Sequence, residues 1–152
     1  MAGRRRAGTA WTALVAAALV VSGLGLTGCA ADATSSVRDF LASDREADDA
    51  LPPTAVTDGQ DAETSRLVGT LDGTTYYLTD FVDPRTGEAG ICVILVAADD
   101  TEFSNSACGN AVGLWTIGSE TGGARIVEKT DPAPEGWTRL TDFLIVNPDA
   151  RS

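Results

Sequence analysis

Residues 66–79 read RLVGTLDGTTYYLT, which is two β-rich runs joined by Asp72-Gly73. Asp-Gly is favoured in a two-residue type I′ turn, because both central residues of that turn need positive φ. Such a turn predicts an antiparallel hairpin whose register is fixed by the turn. The expected pairs are Leu71–Thr74, Gly69–Tyr76, Leu67–Leu78 and Val68–Tyr77. The first three pairs form an apolar face, and Tyr77 belongs to the opposite, more polar face.

The chain after the hairpin consists of short apolar runs separated by turn residues. Asp83–Gly87 has the composition of a turn. Residues 91–96 are almost wholly apolar, which is typical of a central strand buried on both faces. The expected remaining strands are Thr101–Ala107, Leu114–Ile117, Ala124–Glu128 and Trp137–Val146. Thr101–Ala107 is placed beside residues 91–96 by the turn at Asp99-Asp100.

One helix is predicted before the hairpin, over residues 37–50. Val37, Phe40 and Leu41 have helical spacing, and Pro52-Pro53 ends the pattern. Asp48-Asp49 is expected on the solvated face of this helix, and an acidic loop is expected at residues 54–64. We therefore expect an α+β domain, with one N-terminal helix packed on an antiparallel sheet of about five to seven strands. A small all-β sandwich or half-barrel is the alternative.

The start of the chain carries an export signal rather than fold information. Arg4–Arg6 precede an uncharged run, Trp11–Leu26, which is shorter than the ~20 residues that span a bilayer. Leu26-Thr27-Gly28-Cys29 follows and resembles the lipobox of bacterial lipoproteins. In that family the cysteine thiol receives a diacylglyceryl group, and a signal peptidase cuts just before it. The resemblance implies cleavage between Gly28 and Cys29 and lipidation of Cys29.

The same resemblance implies a domain organisation and a location. Residues 1–28 are the signal peptide, 29–35 a small polar tether, 36–147 a single extracellular domain and 148–152 a tail. Two acyl chains anchor a protein stably, whereas one binds marginally. The expected location is therefore the extracytoplasmic face of the cell membrane, with the membrane bound through the lipid. Beyond the signal region the chain is similar to small actinobacterial-type lipoproteins, and no functional motif of a named family matches it.

The net charge of the chain limits the classes of molecule that can be its partner. The chain has 11 basic and 22 acidic residues, and three of the arginines precede Cys29, so the mature charge is 8 − 22 = −14. This charge excludes nucleic acid as a partner class and permits a cationic partner or divalent ions.

With Cys29 lipidated, Cys92 and Cys108 remain, and two cysteines in an exported domain are expected to form a disulfide. A redox or metal pair is the alternative, but it lacks the usual close spacing.

The sequence offers little catalytic chemistry. It contains no histidine, which excludes Ser-His and Cys-His triads and most zinc sites. Carboxylates are the only catalytic groups in quantity, and no residue is assigned to catalysis, to a cofactor or to a metal. Calcium binding by the acidic segments Asp58–Glu63 or Asp99–Glu102 stays open, although neither matches an EF-hand loop.

Four aromatic residues are candidates for recognition: Tyr76, Tyr77, Trp115 and Trp137. Two of them are expected in the core, and Tyr77 is the preferred candidate because the hairpin register puts it on the polar face. The expected function is a non-enzymatic, lipid-anchored binding module of the cell envelope, with an unknown envelope protein as partner. An accessory lipoprotein for a small solute or an ion is the first alternative. An enzyme that uses carboxylates only is the second.

Overall fold

The computed structural model describes residues 33–97, 104–118 and 120–151. Within these ranges it contains one α-helix, α1 (Ala33–Leu41), and eight strands in two four-stranded antiparallel sheets. The strands are β1 (Gln60–Leu71), β2 (Thr74–Val82), β3 (Ala89–Ala97), β4 (Ser104–Gly109), β5 (Trp115–Gly118), β6 (Gly122–Ile126), β7 (Thr138–Arg139) and β8 (Leu144–Asn147). Cys29, the predicted cleavage position and the Asp99–Glu102 segment lie outside the described residues. No helix in the described ranges is long and apolar enough to cross a membrane.

The hairpin between β1 and β2 forms with the predicted turn. Asp72 and Gly73 have φ values of 45° and 79°, as a type I′ turn requires. The pairs Leu71–Thr74 and Gly69–Tyr76 are confirmed. The other two predicted pairs are wrong, because a β-bulge at Val68 shifts the register so that Tyr77 pairs with Leu67 and Leu78 with Arg66.

Because of the bulge, Leu67 and Val68 lie on the opposite faces of the sheet from those predicted. Val68 packs on the same side of the sheet as Tyr76 and Leu78, whereas Leu67 packs with Tyr77 on the other side. A single inserted residue has this effect because side chains alternate between the two faces of a strand. The predicted apolar face therefore exists, but with Val68 in place of Leu67.

The strands divide between two sheets, so the expectation of one sheet is wrong. The first sheet has the order β1-β2-β3-β4 and the second the order β5-β6-β8-β7. The chain turns after β4, and β5 starts the second sheet instead of extending the first. The result is mostly β structure with a minor helix, which agrees in outline with the all-β alternative.

The main core lies between the two sheets and α1. Its fully buried members come from all three parts: Val37 from α1; Tyr76, Leu78, Val93 and Leu95 from the first sheet; Ile126, Leu144 and Val146 from the second. Burial of these apolar side chains is the main stabilising term of the fold. A second cluster covers the opposite face of the first sheet, where Ala55 and Leu51 pack on Tyr77, Ile94 and Val96. The prediction that residues 91–96 are buried on both faces is confirmed.

The helix differs from its prediction at both ends. It begins at Ala33, which is buried, so residues 33–35 of the predicted tether belong to α1. It ends at Leu41, where the Ser43 hydroxyl donates a hydrogen bond to the Phe40 carbonyl (2.7 Å). The rest of the predicted helix contains only a 3-10 turn, Ala47–Asp49, and a second one follows at Pro53–Ala55. Asp49, predicted to be solvated, is buried against β1.

The C-terminal region also differs from its prediction. The single strand expected at Trp137–Val146 is two short strands, β7 and β8, which pair with each other. Leu140 N–H donates to Leu144 O (3.0 Å) and closes the turn between them. Pro148 and Ala150, predicted to belong to a tail, are half-buried, and Ala150 N–H donates to Asn147 O (3.2 Å).

Candidate binding groove

The two tyrosines considered for recognition are in the interior. Tyr76 is fully buried in the main core and Tyr77 is 8% exposed, so the prediction that Tyr77 is available for recognition is wrong. The reason is non-local, because the segment that contains Ala55 covers the face that the hairpin alone would leave open. Burial raises the pKa of Tyr77, and the charges of Asp48 and Asp49 raise it further.

The two tryptophans are at the surface instead. Trp115 opens β5 and is 59% exposed, the largest value among the large apolar side chains in the described ranges. Strand alternation puts Trp115 and Ile117 on the outer face of the second sheet, while Thr116 between them is buried. In the β5–β6 register, Trp115 lies opposite Arg125 and Ile117 opposite Gly123, so Arg125 shares the outer face with Trp115.

Trp137 approaches this face from the segment before β7. Its backbone N–H donates to the Pro134 carbonyl (3.0 Å), which closes a turn. Its ring reaches β6 at a glycine: a Cβ added to Gly123 would lie 3.3 Å from Trp137 Cη2. A larger residue at position 123 would displace the indole, so Gly123 allows the ring to lie close to the strand.

Together these residues line an open groove of about 400 Å³. The lining residues are Gly113, Trp115, Ile117, Arg125 and Trp137. Its size is within the range of sites that hold a small molecule or a few side chains of a partner. The groove is mainly apolar, and Arg125 is its one charged group.

Arg125 has no counter-charge among the described residues. Its side chain is exposed, and no ion pair or hydrogen bond joins its guanidinium to the rest of the described chain. Other cations have acidic partners, for example Arg45 with Glu63 (2.8 Å) and Lys129 with Asp142 (2.6 Å). Arg38, Arg139 and Arg151 also have no ion pair among the described residues, so what distinguishes Arg125 is its position in the groove. Arg125 gives the groove an available donor for a carboxylate or another anionic group of a ligand.

The acidic segment Asp58–Glu63 uses its carboxylates locally. Asp61 Oδ1 accepts from Glu63 N–H (3.1 Å), and Glu63 forms an ion pair with Arg45. In the part of the chain that the structure describes, no three Asp, Glu or Cys side chains come together as metal ligands would. The carboxylates of Asp61 and Glu63 therefore act as turn and ion-pair groups.

The predicted disulfide is present. Cys92 on β3 lies directly opposite Cys108 on β4, with 4.1 Å between their Cα atoms, and the two sulfurs are bonded. Cys92 is fully buried in the second cluster, which Cys108 borders. The bridge therefore ties the edge strand β4 to the centre of the first sheet.

Sequence reasoning identified both tryptophans as candidates but preferred the wrong aromatic, and it did not identify Ile117 or Arg125. The available signal was the alternation Trp-Thr-Ile at residues 115–117, which places two large apolar side chains on one face of a short strand. The register with β6, which adds Arg125, depends on the fold. No protein-family model, curated protein or solved structure matches this chain.

Proposed function

We propose that this protein is a lipid-anchored, non-enzymatic binding module of the cell envelope, and that its groove receives another envelope protein. The observation that carries the proposal is the exposed Trp115, which lines one groove with Trp137 and the unpaired Arg125. Tryptophan and arginine are the residue types that most often dominate the binding energy of protein interfaces.

The exposure of Trp115 has a cost that a partner would remove. A tryptophan typically buries ~200 Å², and 59% of the residue is in contact with water. Covering that area at ~25 cal/mol per Å² contributes about 3 kcal/mol to association, which corresponds to a factor of roughly 100 in Kd. A single exposed tryptophan next to a second indole is therefore enough to centre an interface.

Arg125 indicates which chemical group the partner presents to the groove. A guanidinium binds a carboxylate through two parallel hydrogen bonds, which fixes orientation as well as affinity. The expected contact segment of the partner therefore combines an acidic side chain for Arg125 with an apolar side chain for the indoles. Because the mature chain is strongly acidic as a whole, this attraction is local and favours one docking position.

The location follows from the resemblance at Leu26–Cys29. A lipid-anchored Cys29 would hold the groove at the outer surface of the membrane, where envelope proteins are available as partners. The absence of histidine from the sequence supports a non-enzymatic role. A small solute with an anionic group and an apolar ring is the second candidate ligand, because a groove of about 400 Å³ would also accommodate it.

The proposal is tested by cross-linking on intact cells, with purification of the tagged full chain and mass spectrometry of the attached proteins. The variants are Trp115→Ala, Trp137→Ala and Arg125→Ala. The matched control is Arg85→Ala, which removes another exposed arginine that lies in the Asp83–Gly87 turn, outside the groove. We expect one dominant partner with the natural chain and with Arg85→Ala, and a Kd raised at least about 30-fold for the tryptophan variants, as for an interface hot spot.

The same experiment separates the two candidate ligands. An attached protein whose recovery is the same in all three folded groove variants contradicts the proposal. If no protein exceeds background, the solute is tested by its effect on the fluorescence of Trp115, with Trp115→Phe as the reference. A solute that changes this fluorescence and requires Arg125 would replace the protein as the ligand.

A further inference from the structure

The large apolar side chains that are more than a third exposed in the described ranges are Val56, Val82, Val112 and Trp115. All four lie at one end of the domain, which we call the apolar end. Val82 ends β2 and pairs with Ala89, the first residue of β3. The next residue of β3, Gly90, is close to the end of β4, since a Cβ on Gly90 would lie 2.6 Å from the Gly109 carbonyl oxygen.

The other members of the set are connected to the same place. Val112 lies in the turn that leads from the end of β4 to Trp115. Val56 comes just before the turn into β1, in which the Gly59 carbonyl accepts a hydrogen bond from Val82 N–H (2.9 Å). The exposed apolar side chains are therefore concentrated where β1 and β3 begin, β2 and β4 end, and β5 begins.

Helix α1 also begins at the apolar end. Residues of its first turns border a small cavity together with the start of β3 and the turn after β4; its lining is Thr34, Arg38, Gly90, Ile91, Asn110 and Ala111. The first N–H of the helix, at Ala33, donates to Glu128 Oε2 (2.8 Å), just beyond the end of β6. The helix then runs away from this end, because Ser43 O, which follows it, accepts from the Arg66 guanidinium (2.6 Å) in the middle of β1.

The chain therefore enters the domain at its apolar end. Ala33 is the fourth residue after Cys29, and four residues extend over at most ~14 Å. We infer that the apolar end rests on the membrane surface that holds the lipid of Cys29, with Val82 and Val112 in contact with the lipid interface and Trp115 at its edge. This inference depends on the lipid anchor of the proposed function.

Apolar contact, rather than charge, is the basis of this orientation. The apolar end carries charges of both signs, such as Asp58, Arg85 and Glu88, and the mature chain is acidic overall. Attraction to anionic lipid is therefore not the driving force. Tryptophan is enriched at membrane–water interfaces, where its ring lies at the level of the lipid head groups. Since Trp115 also lines the groove, the bound segment of a partner would lie close to the bilayer.

The test measures the depth of single tryptophans in the mature lipoprotein. The purified protein, with lipidation of Cys29 verified by mass spectrometry, is reconstituted in phosphatidylcholine vesicles with and without brominated acyl chains. In a Trp115→Phe, Trp137→Phe background, the probe is Val82→Trp and the matched control is Thr70→Trp. Thr70 is exposed and pairs with Thr75, which is seven residues from Val82, or ~23 Å along β2.

We expect brominated lipid to quench the emission of Val82→Trp, which should also shift to shorter wavelength, and to leave Thr70→Trp unchanged. Val112→Trp provides a second probe at the apolar end if Val82→Trp does not fold. Equal quenching at both ends, or quenching at Thr70→Trp alone, would overturn the orientation. A mature chain without lipid would overturn both the anchor and the orientation, whereas the groove variants test partner binding without any dependence on orientation.

Discussion

Replacement of Asp49 by alanine is expected to lower the free energy of unfolding by about 3 kcal/mol, although Asp49 is one of 22 acidic residues in the chain. Asp49 is 7% exposed and joins the segment after α1 to β1. Its Oδ1 accepts from Leu67 N–H (2.7 Å), and its Oδ2 accepts from Glu46 N–H (2.8 Å). Its carbonyl accepts from the Ser65 hydroxyl (2.5 Å). Asp49 therefore holds the segment from Asp49 to Ala55, which covers the first sheet, in place beside the bulge at Val68.

The magnitude follows from what the substitution leaves unpaired. A hydrogen bond to a charged group contributes roughly 1.5–3 kcal/mol, so the two side-chain bonds of Asp49 correspond to about 3–6 kcal/mol. Both N–H groups are only partly buried, and water would satisfy them in part, which favours the lower end of the range. The Arg66 side chain, 3.9 Å from Asp49, adds little to the loss. It keeps the Ser43 and Ser65 carbonyls as acceptors.

The measurement is urea unfolding with the disulfide intact, for the natural chain, Asp49→Ala and Asp48→Ala. Asp48 is the neighbouring residue and is exposed, so its replacement should change the free energy of unfolding by no more than about 0.5 kcal/mol. Asp49→Asn keeps one acceptor and the shape of the side chain, and it should fall between the two. A loss below about 1 kcal/mol for Asp49→Ala, or an equal loss for Asp48→Ala, would refute the role given to the Asp49 carboxylate.

Two further predictions concern the first sheet. Cys92 and Cys108 are separated by 16 residues. The free energy of unfolding of the Cys92→Ser, Cys108→Ser double variant in urea should therefore be about 3 kcal/mol lower, because the unfolded chain regains the entropy of the closed loop. An unchanged urea midpoint would contradict this prediction. Burial raises the pKa of Tyr76 to about 12. Its contribution to stability is therefore complete below the unfolded-state pKa of about 10 and is lost as the pH rises towards 12. The free energy of unfolding of Tyr76→Phe should fall less over this pH range than that of the natural chain. An equal fall in both proteins would mean that other groups cause the loss of stability.

The parts of the fold that depend on residues close together in the sequence could be predicted from the sequence. Asp72-Gly73 requires its turn conformation wherever it occurs between β-rich runs, and the apolar run at residues 91–96 has no polar face to expose. The disulfide was expected from the two cysteines that remain in an exported domain, and the strand predicted to return beside residues 91–96 does bring Cys108 opposite Cys92. Each of these features is fixed within a few residues or across a single turn.

The parts that failed depend on contacts between distant segments. Nothing in residues 66–79 indicates the bulge at Val68, which is supported by the bond from Leu67 N–H to Asp49. The pairing of strands into one sheet or two is likewise decided by the turn after β4 and by the core that the two sheets share. Local periodicity is the same in both arrangements, so it could not correct the preference for one sheet.

The failed prediction for Tyr77 and the candidate groove have one physical cause. Tyr77 and Trp115 are both aromatic residues on strands, and the sequence around each gives no measure of what covers it. The segment from Asp49 to Ala55 packs on the first sheet, so the face that contains Tyr77 becomes interior. The second sheet carries Trp115, Ile117 and Arg125 on its outer face, and the groove remains open there. The same covering segment that stabilises the first sheet therefore leaves the second sheet as the surface available to a partner.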